Sequence, residues 1–584
     1  MALFNIYNMY NVGMYVAKIP NRDSPPTYLI RESYRDNGHV KNRTLANISH
    51  LPLSQIQLLS HVFKGQRLVP ADDAFRIIRS LPHGHVQAVL QMIQHLRLPH
   101  LISSRKSRQR DLVLAMIVQR ILNPSSKLAA TRLWKNSTLA EELEVADAEV
   151  DEVYEALDWL LARKNRIENK LAKRHLANGD HVLYDVSSSS YTGHTCLLAR
   201  FGYNRDGISS LPCIVYGVMT DVEGRPVSVD VYPGGTTDPT TVPDQTAKLK
   251  GRFGLKRIVV VGDRGMLTQT QIDTLRKRPG VGWLSALRSS AISKLIDKGH
   301  LERSLFDEKN LAEICSPEFP GERLIACYNP MLAERRKRKR EELLQATEAT
   351  FQRIAKQVAR RTKKPLAKDE IGVKVGRVLN KHKVGKHFTL TIADSLFQWN
   401  RKEDAIRKEA ELDGIYVIRT SEASGNLSAD NAVRGYKRLA DVEFAFRSLK
   451  GLDLLVRPIH HHLDDRVKAH IFVCLLAYYV VWHLKQAWAP MLFADEHLAD
   501  HRADRDPVAP AKPSTQVKAK TATRQTEDGN ELQSFRTLLA ELSTQCRNLC
   551  EFGEAKTNIR ITKLTEPTPL QSEAFRLLEK QCRQ

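Results

Sequence analysis

The sequence of 584 residues lacks any apolar run long enough to cross a lipid bilayer. Its longest uninterrupted run, residues 471–482, has 12 residues, whereas a membrane-spanning helix needs about 20. We therefore expect a buried helix there and no membrane partner. No positive charge precedes Lys18, which is not typical of a secretory signal, so the expected location is the cytoplasm.

Cysteine is scarce and scattered, with eight residues in the whole chain. No two of them have the C-x-x-C spacing that is typical of zinc ribbons and thioredoxin-like redox sites. Cys546 and Cys550 are one helical turn apart, but no second Cys or His pair completes a tetrahedral set. The pattern favours buried or unreactive thiols over a metal or redox centre.

Negative charge is in deficit, because 89 Lys and Arg residues oppose 66 Asp and Glu residues and give a net charge of +23. Such an excess favours a polyanionic partner, of which nucleic acid is the commonest. The excess is concentrated at residues 335–340, which read RRKRKR. The alternative is a solvated charged face, since Glu341, Glu342 and Glu348 are interleaved. Membrane binding is less favoured, because this stretch has few large apolar residues to insert.

The remaining composition, with 42% hydrophobic residues, is that of a globular chain. Its patterns divide the sequence into segments. We predict a small strand-rich piece at 1–60, a helical region at 61–176, an α/β core at 177–290 that resumes at 431–490, a basic interruption at 291–430, an exposed linker at 495–530 and a helical tail at 531–584. Within the helical region, residues 111–122 and 127–135 fit either a helix-turn-helix or an ordinary helical hairpin.

Five short segments are rich in Val and Ile and are bounded by Gly, Pro or Asp, which is typical of β-strands. They are residues 181–187, 213–220, 227–232, 257–262 and 281–287. Short or modest loops join the first three, which favours antiparallel pairing, whereas a helical stretch precedes each of the last two. The sequence therefore predicts a mixed α/β sheet in which the first and fourth strands are neighbours.

Two carboxylates lie on those neighbouring strands. Asp185 is inside the first strand and Asp263 ends the fourth. Two close carboxylates repel each other unless one is protonated or both bind a cation. Because the ligands are hard oxygen atoms, the expected cation is Mg²⁺ or Mn²⁺.

A third ligand is expected from the later segment GYKRLADVEFAFRSLK, which has the pattern of a single helix. Glu443 lies in this segment, with Tyr436 seven residues before it and Lys450 seven residues after it. Seven residues are nearly two helical turns, so the three side chains are predicted to share one face. That face suits a metal ligand flanked by phosphate contacts. Asp441 is the alternative carboxylate, but it lies off the face.

Six segments together carry a resemblance to a known family. They are LYDVSSSSY, FGYNRDGISSLPCIVYGVMTDVEGRPVSVDVYPGGTTDPTT, VVVGDRGML, DGIYVIRT, YKRLADVEFAFRSLK and VRPIHHHLDDRVKAHIFVCLLAY. Through them the chain resembles bacterial insertion-sequence transposases of the DDE class, in the subgroup with a Tyr–Arg–Glu–Lys signature. The resemblance runs from about Tyr184 to Trp482 and is weaker in the N-terminal region.

The resemblance implies a fold, a catalytic site and a cofactor. The fold is an α/β ribonuclease-H-like mixed sheet, interrupted by an insertion domain and preceded by a mainly helical DNA-binding region. Asp185, Asp263 and Glu443 would be both the catalytic triad and the ligands of two Mg²⁺ ions, for which Mn²⁺ can substitute. The interval of 180 residues between Asp263 and Glu443 agrees with an insertion at 291–430.

DNA contacts are expected from the same helix and from the basic segments. They are Tyr436, Arg438, Arg447, Lys450, Arg264, Arg335, Arg336, Lys337 and Arg338. The chain departs from the family signature at Leu439, which occupies the arginine position, so Arg438, Lys437 and Arg447 are candidates to replace it. Two further alternatives stay open: Arg264 could form a salt bridge within the site, and Trp399 could stack on a base or belong to a core.

The function implied is a transposase that binds the terminal inverted repeats of its own element, cuts there and joins the ends to target DNA. A homodimer is expected in the synaptic complex, associated with the bacterial nucleoid. Two alternatives remain: a catalytically inactive DNA-binding relic, and a metal-dependent structure-specific nuclease, which needs no repeat specificity. The choice between hairpin cut-and-paste and a copying route stays open.

Overall fold

The computed structural model describes residues 13–22, 24–66, 75–526, 528–552 and 559–583. The chain forms two compact units. The smaller unit consists of residues 1–80 and 547–565, and the larger unit of residues 81–546 and 566–584.

The strands are numbered in chain order. They are β1 (Met14–Ile19), β2 (Thr27–Asp36), β3 (His39–Asn47), β4 (Phe75–Pro82), β5 (His181–Ser190), β6 (Cys213–Thr220), β7 (Pro226–Pro233), β8 (Ile258–Val261), β9 (Val281–Ala286), β10 (Leu311–Ile314), β11 (Arg323–Tyr328), β12 (Phe388–Ala393), β13 (Leu396–Arg401), β14 (Ile415–Thr420), β15 (Cys546–Phe552) and β16 (Ile559–Leu564).

The α-helices of the described residues are Leu53–Phe63, Gly84–His95, Leu98–Ile102, Arg108–Leu122, Lys127–Leu133, Leu139–Glu142, Val150–Leu161, Lys164–His175, Asp238–Ala247, Gln269–Arg276, Ser289–Asp297, Pro330–Arg360, Lys368–His382, Glu403–Ala410, Ala429–Lys437, Leu439–Lys450, Asp464–Ala487, Leu498–Asp504, Thr515–Thr523, Phe535–Ser543 and Pro569–Arg583.

The smaller unit contains two three-stranded sheets. β1, β2 and β3 pair in sequence order, in agreement with the strand-rich prediction for this end of the chain. The second sheet has the order β16-β15-β4 and so joins distant parts of the sequence. An ion pair of 2.9 Å between Arg76 and Glu551 links β4 to β15. The prediction of a helical tail from residue 531 is therefore wrong where β15 and β16 lie. These two strands complete a sheet with β4, which is far away in the sequence.

The larger unit is built around the apolar helix Asp464–Ala487, which packs against helices Gly84–His95, Arg108–Leu122 and Val150–Leu161. Its apolar residues surround the helix on all sides, which is typical of a helix in the middle of a core. It is the one helix in the described part of the chain that is long and apolar enough to cross a membrane, and 83% of its most apolar window is buried inside the protein. Arg108–Leu122 is also mostly buried.

The main sheet has eight strands in the order β10-β11-β14-β9-β8-β5-β6-β7. β5, β6 and β7 are antiparallel to one another, whereas β8 and β9 run parallel to β5. The five predicted strands therefore form a mixed sheet in which the first and fourth are adjacent, as predicted. This arrangement fits a ribonuclease-H-like core. Helices Asp238–Ala247 and Gln269–Arg276 provide the crossovers that parallel strands need.

The predicted interruption at 291–430 is only partly separate from this sheet. β10, β11 and β14 lie within it, yet they extend the sheet by antiparallel pairing beyond β9. The part of this segment that has a separate hydrophobic core is smaller. It consists of the helices Pro330–Arg360 and Lys368–His382 and the β12–β13 hairpin. Trp399 packs in that core, with its ring 5.4 Å from the ring of Phe397, so the structure supports the core interpretation of Trp399.

Residues 495–530, predicted as an exposed linker, are folded onto the larger unit. They contain two helices, and Val508 between these helices is 1% exposed. Arg502 donates two hydrogen bonds of 2.9 Å to the Asp441 carboxylate. The linker prediction is wrong because a composition rich in Ala, Pro and Lys does not reveal such tertiary contacts.

Candidate functional site

The two aspartates meet at one end of the main sheet. β5 and β8 pair in parallel with Leu183 opposite Val261. Continuing this register by two residues sets Asp185 opposite Asp263, because parallel strands advance equally. The sheet prediction from sequence is confirmed at this point.

Backbone amides orient both carboxylates. Asp185 Oδ1 accepts a hydrogen bond of 2.7 Å from the N–H of Val186. Asp263 Oδ1 accepts bonds of 3.0 Å and 2.7 Å from the N–H groups of Gly265 and Met266. In the described part of the chain these bonds occupy only Oδ1 of each carboxylate, so both Oδ2 atoms remain for another ligand.

The pair carries an electrostatic cost. Burial raises the pKa of Asp185 to about 7, and the negative charge of Asp263 adds to this rise. A cation bound between the two carboxylates would relieve both effects, because it replaces lost solvation and offsets the repulsion. Two oriented carboxylates with hard oxygen donors therefore fit a divalent cation.

Glu443 lies on the helix Leu439–Lys450, which packs across β5. Its side chain is exposed, while Val442 and Ala445 beside it are buried. Across the described residues, no three Asp, Glu, His or Cys side chains lie close enough together to bind a metal. The structure thus brings Asp185 and Asp263 together and leaves Glu443 outside a common ligand set.

Tyr436 interacts electrostatically both with Asp263 and with Glu443. Burial raises its pKa to about 12, and the negative charges of Asp263 and Glu443 contribute to the rise, while Arg264 opposes it. The phenol therefore lies near both carboxylates and near Arg264. It keeps its proton at neutral pH and can donate a hydrogen bond.

The predicted single helix face is wrong, because the segment forms two helices that join at Arg438. Tyr436 belongs to the first and Glu443 to the second. Lys450 Nζ donates to the backbone oxygen of Ser188 and lies 3.2 Å from the Asp206 carboxylate. It therefore ties its helix to β5 within the protein. Asp441, the alternative ligand, is occupied by its ion pair with Arg502.

Three of the predicted phosphate contacts, Arg264, Arg335 and Arg336, interact electrostatically with one another. Burial lowers the pKa of Arg336, and the positive charges of Arg264 and Arg335 lower it further. Arg336 donates a bond of 3.0 Å to the Leu412 oxygen, so it also has a structural role. Arg335 is exposed.

The remaining predicted contacts lie elsewhere on the surface. Lys337 and Arg338 are exposed on the helix Pro330–Arg360, where Arg338 is 3.7 Å from Glu342. Arg447 is exposed, with its guanidinium 5.7 Å from the centre of the Phe444 ring.

Arg438 lines a cavity of about 870 Å³ together with other basic side chains. Arg335, Arg434, Lys437, Arg502 and Arg505 are among them. The predicted replacements for the signature arginine, Arg438 and Lys437, thus face a basic cavity.

Sequence reasoning missed three residues of the loop and helix beside Asp185. Arg205 forms an ion pair with Asp238, and both of these charges act on the Asp185 carboxylate. Asp206 has a side chain that is 2% exposed and pairs with both Lys450 and Arg457. The motif Y-N-R-D-G at 203–207 was the signal available, but it is also a common turn sequence.

Comparison with known proteins agrees with this geometry. Residues 16–71 match the N-terminal domain of IS1634 family transposases, and residues 180–480 match the transposase DDE domain. No curated protein matches the chain. A solved structure of a piggyBac transposase synaptic complex with hairpin DNA is 11% identical over 75% of this chain and 86% of that chain, but its TM-score of 0.23 does not establish a common fold. Since the DDE domain spans just over half of the sequence and contains all three predicted acidic residues, the chain belongs to the DDE family of insertion-sequence transposases.

Proposed function

We propose that this transposase binds the terminal inverted repeats of an insertion sequence and catalyses metal-dependent DNA strand cleavage and strand transfer. The observation that carries the proposal is the pair Asp185 and Asp263, which meet on adjacent parallel strands inside the matched DDE domain. Their oriented carboxylates and the raised pKa of Asp185 suit a site that is completed by a cation.

DDE transposases use divalent metal ions, and the proposed ligands here are Asp185, Asp263 and Glu443. Bound Mg²⁺ or Mn²⁺, as two ions in the full proposal, would activate the attacking oxygen and stabilise the leaving oxygen in a displacement at phosphorus. Asp185 and Asp263 supply two oriented carboxylates for this purpose. Glu443 is the proposed third ligand because its helix lies across β5 and exposes it.

The other residues of the site orient the DNA. Tyr436 keeps its hydroxyl proton and would donate a hydrogen bond to a phosphate oxygen near Asp263. Arg264 adds positive charge beside that position, and Lys450 holds the helix of Glu443 against β5.

The partners follow from the same chemistry. A net charge of +23 favours DNA, and the exposed basic side chains of the helix Pro330–Arg360 suit phosphates that flank the cleaved bond. We infer that two copies of the chain act together, since joining two transposon ends requires two active sites. The bacterial cytoplasm, at the nucleoid, is the corresponding location.

Strand cleavage tests the proposal directly. A labelled duplex that carries the terminal repeat is incubated with Mg²⁺ or with EDTA, using the wild type, Asp263→Asn and Glu443→Ala. We expect nicking at the repeat boundary only with Mg²⁺, and loss of nicking but not of binding in both variants. Glu579→Ala, which removes a carboxylate on the surface, is the matched control and should cleave normally.

Three other results would change the conclusion. Binding of the repeat without cleavage by the wild type would leave the inactive relic. Cleavage that ignores the repeat and follows DNA structure would indicate the nuclease. Normal cleavage by Glu443→Ala would remove Glu443 from the ligand set while leaving the two aspartates.

A further inference from the structure

The basic cavity that Arg438 lines is separate from the proposed metal ligands. His181, the first residue of β5, also lines it. Asp185 follows His181 by four residues, which is about 13 Å along a strand. Asp185, Asp263 and Glu443 are not among the residues that line the cavity. A molecule bound in the cavity would therefore lie apart from the three carboxylates.

Hydrogen bonds hold the wall of the cavity that residues 505–511 provide. Lys437, which ends the first of the two helices that join at Arg438, donates from Nζ to the Ala509 oxygen at 3.0 Å. Asn329 Nδ2 donates to the Val508 oxygen at 3.1 Å. Because both acceptors are backbone atoms, the wall is fixed in place as part of the fold.

Positive charge exceeds negative charge around the cavity. Six Lys and Arg side chains line it, whereas Asp506 is the one acidic residue among the described residues of the lining. Asp441, outside the lining, pairs with Arg502, one of the six, at 2.9 Å. Counting these two carboxylates against the six cations leaves an excess of four positive charges. The side chains of Arg335 and Arg505 form no hydrogen bond or ion pair within the described part of the chain. An anion in the cavity would offset the mutual repulsion of these cations.

Much of the remaining lining is apolar. It includes Val222, Met331, Leu332, Leu427, Pro507 and Pro510. Sites for small molecules typically combine such an apolar surface with a few charged groups, and their volumes are about 300–1,000 Å³. The cavity, of about 870 Å³, lies in this range. It is too small for a DNA duplex, whose major groove alone is about 12 Å wide. The lining therefore suits a small anion that also has a flat apolar part.

We propose that this cavity binds a nucleoside triphosphate, with its phosphates against Arg335, Arg438 and Arg505 and its base against the apolar surface. A triphosphate chain carries about four negative charges near neutral pH, which matches the excess of positive charge. Guanidinium groups bind phosphate oxygens with two parallel hydrogen bonds, and a base that enters the cavity buries apolar surface. The inference goes beyond the proposed function, since it requires neither a metal at the aspartates nor bound DNA.

The experiment is isothermal titration calorimetry of the full-length protein with ATP, in EDTA and without DNA. We expect a single saturable site per chain. Inorganic triphosphate, which lacks the base, and adenosine, which lacks the charges, should each bind more weakly than ATP. Arg505→Gln and Arg438→Gln each remove one charged contact and should weaken the binding of ATP about 10- to 150-fold.

Two variants control for charge and position. Arg505→Lys keeps the positive charge and should recover most of the affinity. Arg524→Gln removes an exposed arginine from the same 495–530 segment, at a position that does not line the cavity, so it should bind ATP as the wild type does. Thermal unfolding of every variant is measured alongside. ATP should raise the midpoint of the wild type and raise that of Arg505→Gln much less.

Several results would overturn the inference. One is the absence of saturable ATP binding by the wild type, and another is unchanged affinity in Arg505→Gln and Arg438→Gln. Equal weakening in Arg524→Gln would show a general attraction between ATP and a basic protein. Equal affinity for ATP and for inorganic triphosphate would mean that the apolar surface plays no part.

DNA is tested as the alternative occupant. A single-stranded oligonucleotide of the terminal repeat is added to the ATP complex and is also titrated alone. If it displaces ATP and Arg505→Gln weakens its own binding as much as that of ATP, the cavity holds a DNA strand and the inference is overturned. ATP binding is measured without Mg²⁺ and without DNA, so a failure of strand cleavage would count against the proposed function alone, and a failure of ATP binding against this inference alone.

Discussion

Asp206→Asn tests how the helix of Glu443 is held against the sheet. Asp206 accepts hydrogen bonds of 2.8 Å and 3.1 Å from Ser190, and its carboxylate lies 3.2 Å from Lys450 Nζ and 2.5 Å from Arg457. Asparagine has nearly the same shape but no charge. The substitution therefore leaves the packing and removes the negative charge that both cations face.

The expected loss can be bounded from burial. Removing one member of a buried ion pair costs about 3–5 kcal/mol when the remaining charge has no solvent. The side chains of Lys450 and Arg457 retain 15% and 38% exposure, so water recovers part of that cost. We expect a fall of roughly 2–4 kcal/mol in the free energy of unfolding of the larger unit.

The assay is urea unfolding followed by tryptophan fluorescence, with Asp404→Asn as the control. Asp404 also pairs with an arginine, but its side chain is 93% exposed, so its replacement should leave the midpoint unchanged. Equal unfolding midpoints for wild type and Asp206→Asn would refute the conclusion that Asp206 holds the helix of Glu443 against the sheet.

A second readout is the dependence of this stability difference on pH. Although burial alone would raise the pKa of Asp206, Ser190, Lys450 and Arg457 together lower it. Its contribution is complete above the ordinary value of 3.8 and is lost as the pH falls through the lowered value, so the difference between the proteins should shrink in acid.

Two further predictions concern buried ionisable groups. Asp185→Asn should stabilise the metal-free protein above pH 7, because burial and Asp263 raise the pKa of Asp185 to about 7. The gain should develop between the ordinary pKa of 3.8 and pH 7, where the folded wild type holds a proton that the unfolded chain has released. Thermal unfolding is measured at pH 4 and pH 8, and the variant should be the more stable protein at pH 8. Equal stability of the two proteins at pH 8 would contradict the prediction. His483→Phe should reduce the acid sensitivity of the larger unit, since burial and nearby positive charges lower the pKa of His483 to about 3. The stability that neutral His483 contributes is present above pH 6.5 and is lost as the pH falls toward 3. In that window the variant should therefore lower the slope of unfolding free energy against pH by about 1.4 kcal/mol per pH unit. An unchanged slope would be evidence against the prediction.

The sequence was sufficient to predict the central strands of the main sheet and the adjacency of Asp185 and Asp263. β8 is a short run of Ile and Val, and β5 and β9 begin with mostly apolar residues that follow an aspartate or a glycine, so local pattern and buried position coincide. The adjacency of β5 and β8 followed from chain order, since a parallel neighbour needs a crossover. Asp185 was predictable as a candidate because a carboxylate stands out in an apolar strand, and Asp263 because it closely follows one.

Features that depend on distant contacts were not predictable. Counting seven residues from Glu443 to Lys450 gives a helix face, but it does not reveal that Ser188 and Asp206 accept bonds from that ammonium group. The strand β15 reads CRNLCEF, whose apolar residues are few and fit a helix as well as a strand. Its pairing partner β4 decides the matter, and that partner is hundreds of residues away.

The sheet that joins β4 to β15 has a consequence for the order of synthesis. Arg76 and Glu551, which pair across it, are separated by 475 residues. At about 5–20 residues per second, a ribosome needs roughly half a minute to a minute and a half between them. The first sheet, β1 to β3, is complete almost at once, whereas β4 waits for its partner until nearly the whole chain has been made. The smaller unit is therefore finished after almost all of the catalytic core has been synthesised, and a chain that stops early keeps an unpaired strand at its amino-terminal end.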